Sequence, residues 1–217
     1  MAKSQDWFNN LRISYEIGEL NDGDLHHDPF EQFRIWLEAA ATQQLPEPNA
    51  FVLSTVDQTH TPSSRTVLLK SFDTKGFIFF SNYNSKKAKS IDLNPKVVMN
   101  FLWLPLHRQV IIEGTATKIS REDSEDYFKT RPISSQLGAW ISPQSEVIEN
   151  REVLEKRAQE FSEKFQDQVP VPDFWGGFII DPNLIEFWQG RPSRLHDRFR
   201  YTKETKNSTW QLNRIAP

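Results

Sequence analysis

The chain has 217 residues, a net charge of −3, a pI near 6.0 and no cysteine. This length allows one substantial core, and the slightly acidic balance argues against a nucleic-acid partner. The lack of cysteine excludes disulfides, zinc–thiolate sites, iron–sulfur clusters and a thiol nucleophile. The opening segment MAKSQDWFNN has no apolar signal core and no stretch is long enough to cross a bilayer, so we expect a cytoplasmic protein without a membrane partner.

The first 27 residues are polar and mixed, and we interpret 1–27 as a mobile arm or lid that precedes one domain over 28–217. A helix is predicted next, with Asp28 as its cap, Pro29 in its first turn and Glu31 completing a capping box. The next hundred residues or so have the residue pattern typical of β-strands. The predicted strands cover 50–56, 64–72, 76–82, 96–104 and 108–120.

Three further helices are predicted over 85–93, 120–130 and about 150–165. Strand character then returns in GGFIID, LIEFWQG, RLHDRFRY and STWQLNRI. Crossover helices between successive strands are missing, so the order favours a mainly β (α+β) chain forming a closed or split β-barrel with peripheral helices.

The predicted strand SRTVLLKSF carries Arg65 and Lys70 near its two ends. Charged residues on an otherwise apolar strand are costly unless an anion or the barrel rim receives them. In a regular strand the two side chains face opposite sides of the sheet. Both can contact one ligand only if the strand contains a bulge; otherwise two separate anions are bound, one on each face. An edge strand with its charged ends in solvent is the alternative.

A second cationic segment, FSNYNSKKAKS, places Ser81, Ser85, Lys86 and Lys87 where a strand ends and a helix begins. Free amides at a helix N-terminus together with two lysines favour an anion. A solvated lysine pair is the alternative.

In YFKTRPISSQLGAW, Tyr127 and Arg131 are four residues apart and share a helical face, and Pro132 turns the chain so that Ser134 and Ser135 come close. A phenol, a guanidinium and a hydroxyl together are typical of a monophosphate pocket. In the alternative, Tyr127 belongs to the core and Arg131 pairs with a nearby acid, Glu125 or Asp126.

The segment FWQGRPSRLHDRFRY gathers Arg194, His196 and Arg198 between aromatic residues. Such a set can bind an anion, carry a proton and wall off a planar ligand, or it can be a solvated strand with paired arginines. The sequence contains neither a phosphate-binding glycine loop nor a metal-ligand motif, so we expect no metal.

Taken together, the motifs RTVLLK, SxKAxxI at 85–91, RQVIIEG, YFxxRPxxSQxGAW, PxFWGGF, IEFWQG, RLHDRF and the closing RIAP resemble the pyridoxine (pyridoxamine) 5′-phosphate oxidases. The match runs in order from about Arg12 to Pro217. The resemblance implies an FMN-binding split β-barrel over 28–217 that forms a homodimer. It also implies oxidation of pyridoxine or pyridoxamine 5′-phosphate by molecular oxygen to pyridoxal 5′-phosphate, with release of hydrogen peroxide, and of ammonia from the amine, in vitamin B6 salvage.

The resemblance also implies roles for individual residues, with Phe80 standing where a tyrosine is common and Lys86 where an arginine is common. Implied flavin contacts are Arg65, Thr66, Val67, Leu68, Leu69, Lys70, Phe80, Ser81, Lys86, Lys87, Gln109, Gln144, Ser145, Trp188 and Arg198. Implied substrate contacts are Arg12, Tyr15, Lys70, Tyr127, Arg131, Ser135, Arg194 and His196, with Arg194 and His196 acting on the ring as the catalytic pair.

The rival function is a non-catalytic split-barrel protein that carries a flavin or pyridoxal 5′-phosphate. A flavin carrier has no need of the second phosphate pocket at Tyr127, Arg131 and Ser135, so these residues favour the oxidase. RNA binding through the arginine-rich segment fits poorly with the acidic total charge.

Overall fold

The computed structural model describes residues 7, 9–11, 13–166, 168–205 and 208–217. The chain divides into two compact units, which are described separately below. The first unit holds Met1–Pro48, Asn100–Ile111 and Leu184–Pro217. The second unit holds Asn49–Met99 and Ile112–Asn183.

Nine strands occur in the described residues, in the hydrogen-bonded order β2-β1-β5-β6-β7-β4-β3, with β8 pairing with β7 and β9. Their bounds are β1 Ala50–Val56, β2 Pro62–Leu68, β3 Ser71–Asp73, β4 Gly76–Asn82, β5 Lys96–Trp103, β6 Arg108–Lys118, β7 Trp175–Gln189, β8 Asp197–Thr202 and β9 Gln211–Arg214. The predicted bounds of β1 and β4 are confirmed, because alternation and flanking turn residues mark both ends of each strand.

The prediction of one strand over 64–72 is wrong. Strand β2 ends at Leu68 after pairing with β1, and β3 begins only at Ser71. Between them the Leu69 amide donates to the Asn49 carbonyl at 2.9 Å, and the Lys70 amide donates to the Ile78 carbonyl at 2.9 Å. The chain thus changes hydrogen-bonding partner at this point. Arg65 and Lys70 therefore do not lie on one regular strand.

The predicted strands GGFIID and LIEFWQG are one strand, β7, which continues through Pro182. Proline lacks one donor but is compatible with an extended backbone, so the strand need not end there. Gly176 allows a close approach in this strand, because a Cβ at that position would lie 2.1 Å from the Tyr83 hydroxyl oxygen.

Five α-helices have both ends in the described residues: α1 Pro29–Thr42, α2 Lys86–Leu93, α3 Arg121–Thr130, α4 Ile133–Ile141 and α5 Glu152–Phe165. The caps at Asp28 and Ser120 are confirmed, since their side chains accept from the Phe30 and Asp123 amides. The predicted capping box is wrong, because Glu31 accepts from Arg34 Nε at 2.8 Å and the Asp28 amide donates to His26 Nδ1 at 3.1 Å. Helix α4 was not predicted, because Pro132 indicates a turn and not the N-cap that it forms here.

The core of the first unit packs α1 against aromatic residues. Phe33 and Phe101 meet with ring centroids 5.0 Å apart, and Trp36 meets Phe187 edge-on at 5.1 Å. All four side chains are buried. The Tyr201 hydroxyl, also in this core, donates to the His26 carbonyl at 2.6 Å, and burial raises the pKa of Tyr201 to about 12.

The core of the second unit lies between β1, β4 and the first half of β7. Phe79 stacks on Phe178 with ring centroids 5.4 Å apart, and it meets Phe51 edge-on at 6.1 Å. Strand β4 pairs antiparallel with β7, with Phe79 opposite Phe178. This pairing holds the end of β4, at Phe80 and Ser81, beside Gly176 and Gly177.

In the described part of the chain, no helix combines the length and apolar character needed to cross a membrane. The described residues also contain no group of three or more histidine, aspartate or glutamate side chains suited to a metal ion.

Candidate functional site

A cavity of about 660 Å³ opens in the second unit where β2, β4, α3 and α4 meet. It is lined by Thr66, Val67, Leu68, Lys70, Phe80, Ser81, Asn82, Lys87, Tyr127, Thr130, Arg131, Pro132, Ser135, Gly138, Ala139, Ser142, Gln144 and Trp175. Three cations, Lys70, Lys87 and Arg131, are in this lining, and the described lining contains no carboxylate. An uncompensated positive cavity favours an anionic ligand.

Lys87 projects from the first turn of α2 and is held by three oxygen atoms. Its Nζ donates to Ser81 Oγ at 3.0 Å, to Ser85 Oγ at 3.1 Å and to Gln144 Oε1 at 2.8 Å. These acceptors are neutral, so they orient the ammonium without cancelling its charge. Burial, and then the positive charge of Arg65, lower the pKa of Lys87 to about 8.

Arg65 is close enough to Lys87 to affect its pKa, although its side chain does not line the cavity. Arg65 Nη1 donates to the Leu53 carbonyl at 3.1 Å and to Thr55 Oγ1 at 2.9 Å, and Nη2 donates to Ser63 Oγ at 2.6 Å. All three acceptors are uncharged. Burial lowers the pKa of Arg65.

Tyr127, Arg131 and Ser135 come together in the cavity as predicted from their spacing, whereas Ser134 does not line it. Tyr127 lies in the last turn of α3, Arg131 is the C-cap of that helix, and Ser135 lies in the first turn of α4. The Ser135 amide donates to the Pro132 carbonyl at 2.8 Å, which forms the tight connection between the helices.

The alternative in which Arg131 pairs with a nearby acid is not what the structure shows. Glu125 is bound to Arg121 at 2.7 Å, and Asp126 is bound to Lys129 at 3.1 Å. Within the described residues the Arg131 side chain has no hydrogen-bond acceptor, and its Nη1 is buried without a partner. A guanidinium in this state has donors available to a ligand anion. Burial lowers the pKa of Arg131.

Sequence reasoning gave no role to Trp175, which lines the same cavity. The rings of Phe80 and Tyr127 stack with centroids 3.9 Å apart, and Phe80 stacks on Trp175 at 5.3 Å. The Cζ of Arg131 lies 4.7 Å from the Trp175 ring centroid. The motif PxFWGGF contains this tryptophan, but its contacts come from elements distant in the sequence.

Besides Arg65, three of the predicted flavin contacts in the second unit are outside the lining of this cavity. Leu69 is buried in the core with 4% of its surface exposed. Lys86 and Ser145 line a neighbouring cavity of about 400 Å³, together with Asn84 and Lys89. Lys86 therefore points away from the group around Lys87, as expected for consecutive residues on a helix.

The first unit contains its own aromatic cluster. Tyr15 meets His107 with ring centroids 4.6 Å apart and meets Trp188 edge-on at 5.7 Å, while His196 lies 4.6 Å from Trp188. Tyr15, His107, Gln109 and Trp188 also line a cavity of about 280 Å³. Arg12, the other residue of the predicted lid, lies outside the described residues.

His196 accepts a hydrogen bond at Nδ1 from the Arg191 amide at 3.0 Å. The neutral imidazole therefore carries its proton on Nε2. Burial, and then the charges of Arg194 and Arg198, lower the pKa of His196 and favour this neutral form.

Arg194 is exposed and follows Ser193, and both have left-handed backbones with φ of 62° and 55°. Such conformations are costly for residues other than glycine and are concentrated at functional sites. The loop thus presents the Arg194 side chain from a strained turn.

Arg198 is held by a carboxylate that sequence reasoning missed. Glu186, only 3% exposed, accepts from Arg198 Nη2 at 2.7 Å and from Arg200 Nη2 at 2.9 Å. Arg198 Nη1 also donates to the Ala216 carbonyl at 3.0 Å, so the closing RIAP segment packs on this arginine. The signal for this ion pair was that Glu186 on β7 and Arg200 on β8 carry opposite charges at facing positions.

This fold, with a cationic cavity beside the sheet, is that of the split-barrel proteins. A crystal structure of PhzG from Burkholderia lata 383 in complex with tetrahydrophenazine-1-carboxylic acid superposes with a TM-score of 0.86 at 25% identity, covering 93% of this chain and 99% of that one. A pyridoxamine 5′-phosphate oxidase-related, FMN binding protein from Nostoc punctiforme PCC 73102 has the same fold, with a TM-score of 0.70 at 18% identity, covering 89% of this chain and all of that one.

Two family models match the sequence: pyridoxamine 5′-phosphate oxidase over residues 37–165, and the pyridoxine 5′-phosphate oxidase C-terminal dimerisation region over 175–217. The pyridoxine/pyridoxamine 5′-phosphate oxidase of Crocosphaera subtropica is 53% identical, over 95% of this chain and 98% of that protein. The protein of the same name from Paraburkholderia xenovorans is 49% identical, over 95% and 97%. The chain belongs to the pyridoxine/pyridoxamine 5′-phosphate oxidase family, and it is an oxidoreductase.

Proposed function

We propose that the protein binds FMN and oxidises pyridoxamine or pyridoxine 5′-phosphate with molecular oxygen to pyridoxal 5′-phosphate in the cytoplasm. Hydrogen peroxide is released, together with ammonia from the amine, and the reaction serves vitamin B6 salvage. The observation that carries this proposal is the cavity of the second unit, where Lys70, Lys87 and Arg131 have no carboxylate beside them in the described lining.

The residues present fit FMN and a phosphorylated substrate. A cavity of about 660 Å³ is of the size that cofactor sites have. The unpaired guanidinium of Arg131 and the half-buried ammonium of Lys87 are separate cationic positions, and each suits one phosphate. Two phosphorylated ligands account for both, whereas a flavin carrier needs only one.

The proposed flavin-phosphate ligands are Lys87 and Arg65, with Ser81 and Gln144 as neutral partners of Lys87. The end of β2, from Thr66 to Leu68, lines the cavity and would face the flavin ring. Roles as further flavin contacts are proposed for Leu69, Lys70, Phe80, Lys86, Gln109, Ser145, Trp188 and Arg198.

The proposed ligands of the substrate phosphate are Arg131, Tyr127, Ser135 and Lys70, all in the cavity lining. Arg194 and His196 would orient the pyridine ring, and Arg12 and Tyr15 would cover it. His196 offers a proton at Nε2, since its Nδ1 is occupied by the Arg191 amide. Bound FMN supplies a two-electron acceptor that oxygen regenerates. Holding the substrate in a reactive orientation is the task left to these side chains.

A homodimer is the proposed assembly. It is supported by the match of residues 175–217 to a C-terminal dimerisation region. A ligand that binds only the folded dimer raises its thermal midpoint by mass action. We therefore expect the thermal midpoint to rise when FMN is added. Sedimentation of the FMN complex should give a dimer, and a strictly monomeric complex would contradict the assembly.

An absorbance spectrum tests the function directly. The purified protein should show the two flavin bands, lose them when pyridoxamine 5′-phosphate is added without oxygen, and regain them with peroxide formation when air is admitted. Flavin bands that persist through the anaerobic addition would identify a carrier and reject the oxidase.

A further inference from the structure

Arg131 rests against the face of an aromatic ring. Its Cζ lies 4.7 Å from the Trp175 ring centroid and 5.4 Å from that of Phe128. A guanidinium at this distance is attracted by the ring quadrupole, and tryptophan provides the strongest such attraction. The contact brings together the C-cap of α3 and the first residue of β7.

Few other contacts hold the Arg131 side chain in the described structure. Two hydrogen bonds fix its backbone. The Arg131 amide donates to the Phe128 carbonyl at 3.1 Å, and Gln136 Nε2 donates to the Arg131 carbonyl at 2.8 Å. Its guanidinium has neither a carboxylate nor a hydrogen-bond acceptor among the described residues. The ring contacts therefore set where the guanidinium lies.

Trp175 is itself rigidly placed. Only 6% of it is exposed, and its amide donates to the Pro172 carbonyl at 3.0 Å. Its ring is stacked by Phe80 at 5.3 Å and met edge-on by Phe128 at 4.9 Å. Tyr127 stacks on Phe80 at 3.9 Å, so both phosphate ligands of α3 rest on this aromatic group.

We propose that Trp175 is a positioning residue that holds Arg131 for the substrate phosphate. The proposal rests on the proposed function. A carboxylate in this place would occupy the N–H donors and neutralise the charge that the phosphate needs. The face of a ring orients the cation without accepting a hydrogen bond from its N–H groups.

Trp175→Leu removes the ring face, and Trp175→Phe retains a weaker one. Losing the contact should raise KM for pyridoxamine 5′-phosphate by about three- to thirtyfold in Trp175→Leu, with a smaller rise in Trp175→Phe. The kcat should stay within about twofold, because phosphate binding is uniform through the reaction. Trp140→Leu is the matched control, because Trp140 packs on Phe161 and Phe165 and does not line the cavity.

A double-mutant cycle separates positioning from general packing. In an Arg131→Ala background, Trp175→Phe and Trp175→Leu should raise KM no further, since the residue that Trp175 positions has been removed. Full additivity, or an unchanged KM in both single variants, would overturn the proposal. If Trp175→Leu does not fold, the cycle with Trp175→Phe decides.

Inorganic phosphate distinguishes failure of this inference from failure of the proposed function. If the wild-type protein neither loses its flavin bands on adding substrate nor turns the substrate over, the proposed function is wrong. The affinity for inorganic phosphate, measured by calorimetry for the same variants, still tests the contact between Trp175 and Arg131. Weaker phosphate binding in Trp175→Leu but not in Trp140→Leu supports positioning. Equal phosphate binding in wild type and both Trp175 variants rejects it.

Discussion

Lys87 Nζ donates to Gln144 Oε1 at 2.8 Å, joining the first turn of α2 to the segment after α4. The acceptor is a neutral amide, and the like charge of Arg65 contributes to the lowered pKa of Lys87. Two cations kept close together without a carboxylate are unfavourable unless an anion joins them. Binding of the flavin phosphate at this point relieves that cost.

Lys87→Ala and Arg65→Ala are expected to weaken FMN binding strongly. Each removes a charge-assisted hydrogen bond, typically worth about 1.5 to 3 kcal/mol, or roughly ten- to a hundredfold in affinity. Titration of ligand-free protein by quenching of FMN fluorescence measures this change. Lys75→Ala, at an exposed turn residue, should match wild type. Equal affinity in wild type and both cavity variants would show that the phosphate binds elsewhere.

FMN affinity is expected to fall as pH rises through about 8, the lowered pKa of Lys87. The phosphate favours the protonated lysine, and the ligand-free protein loses that proton near this pH. Lys87→Met should abolish this part of the pH dependence. A profile of the same shape in wild type and Lys87→Met would rule out Lys87 as its source.

The stability of the ligand-free protein should change in the opposite sense. The folded protein releases the Lys87 proton at about 8, below the ordinary value of 10.5, so the unfolded chain binds more protons between these limits. The contribution of Lys87 to the free energy of unfolding therefore rises with pH across that window and does not change with pH below it. Urea denaturation of wild type and Lys87→Met at several pH values measures the difference.

Arg131→Ala is expected to raise KM for pyridoxamine 5′-phosphate at least about tenfold, the scale for losing one charge-assisted contact of roughly 1.5 kcal/mol. The kcat should change much less, because the phosphate is bound alike in the ground and transition states. Lys129→Ala is a suitable control, since this exposed cation of α3 pairs with Asp126 and does not line the cavity. An unchanged KM in steady-state peroxide assays would remove Arg131 from the pocket.

Arg194→Ala should lower kcat while FMN remains bound. Its side chain is exposed on a strained turn, and its proposed role is to align the ring, so its loss affects the reactive orientation more than cofactor binding. Kinetics and the flavin absorbance of the same preparation provide the two readouts. Full kcat in Arg194→Ala would show that the ring is oriented by other residues.

Much of the local structure follows from the sequence alone. Alternating apolar residues and turn signals predict β1 and β4 to the residue, and the caps at Asp28 and Ser120 place the starts of α1 and α3. The spacing of Tyr127 and Arg131 also predicts that both reach one pocket. These features depend on neighbours within a few residues, where the helical and strand periods determine which side chains share a face.

Tertiary structure decided the features that depend on distant partners. The end of β2 at Leu68 reflects a change of hydrogen-bonding partner, from β1 to Ile78 in β4, that no local pattern records. Trp175 reaches Arg131, and Glu186 binds both Arg198 and Arg200, only because the strands and helices that carry them pack together. Such contacts arise from packing between elements far apart in sequence, and periodicity along one element does not contain that information.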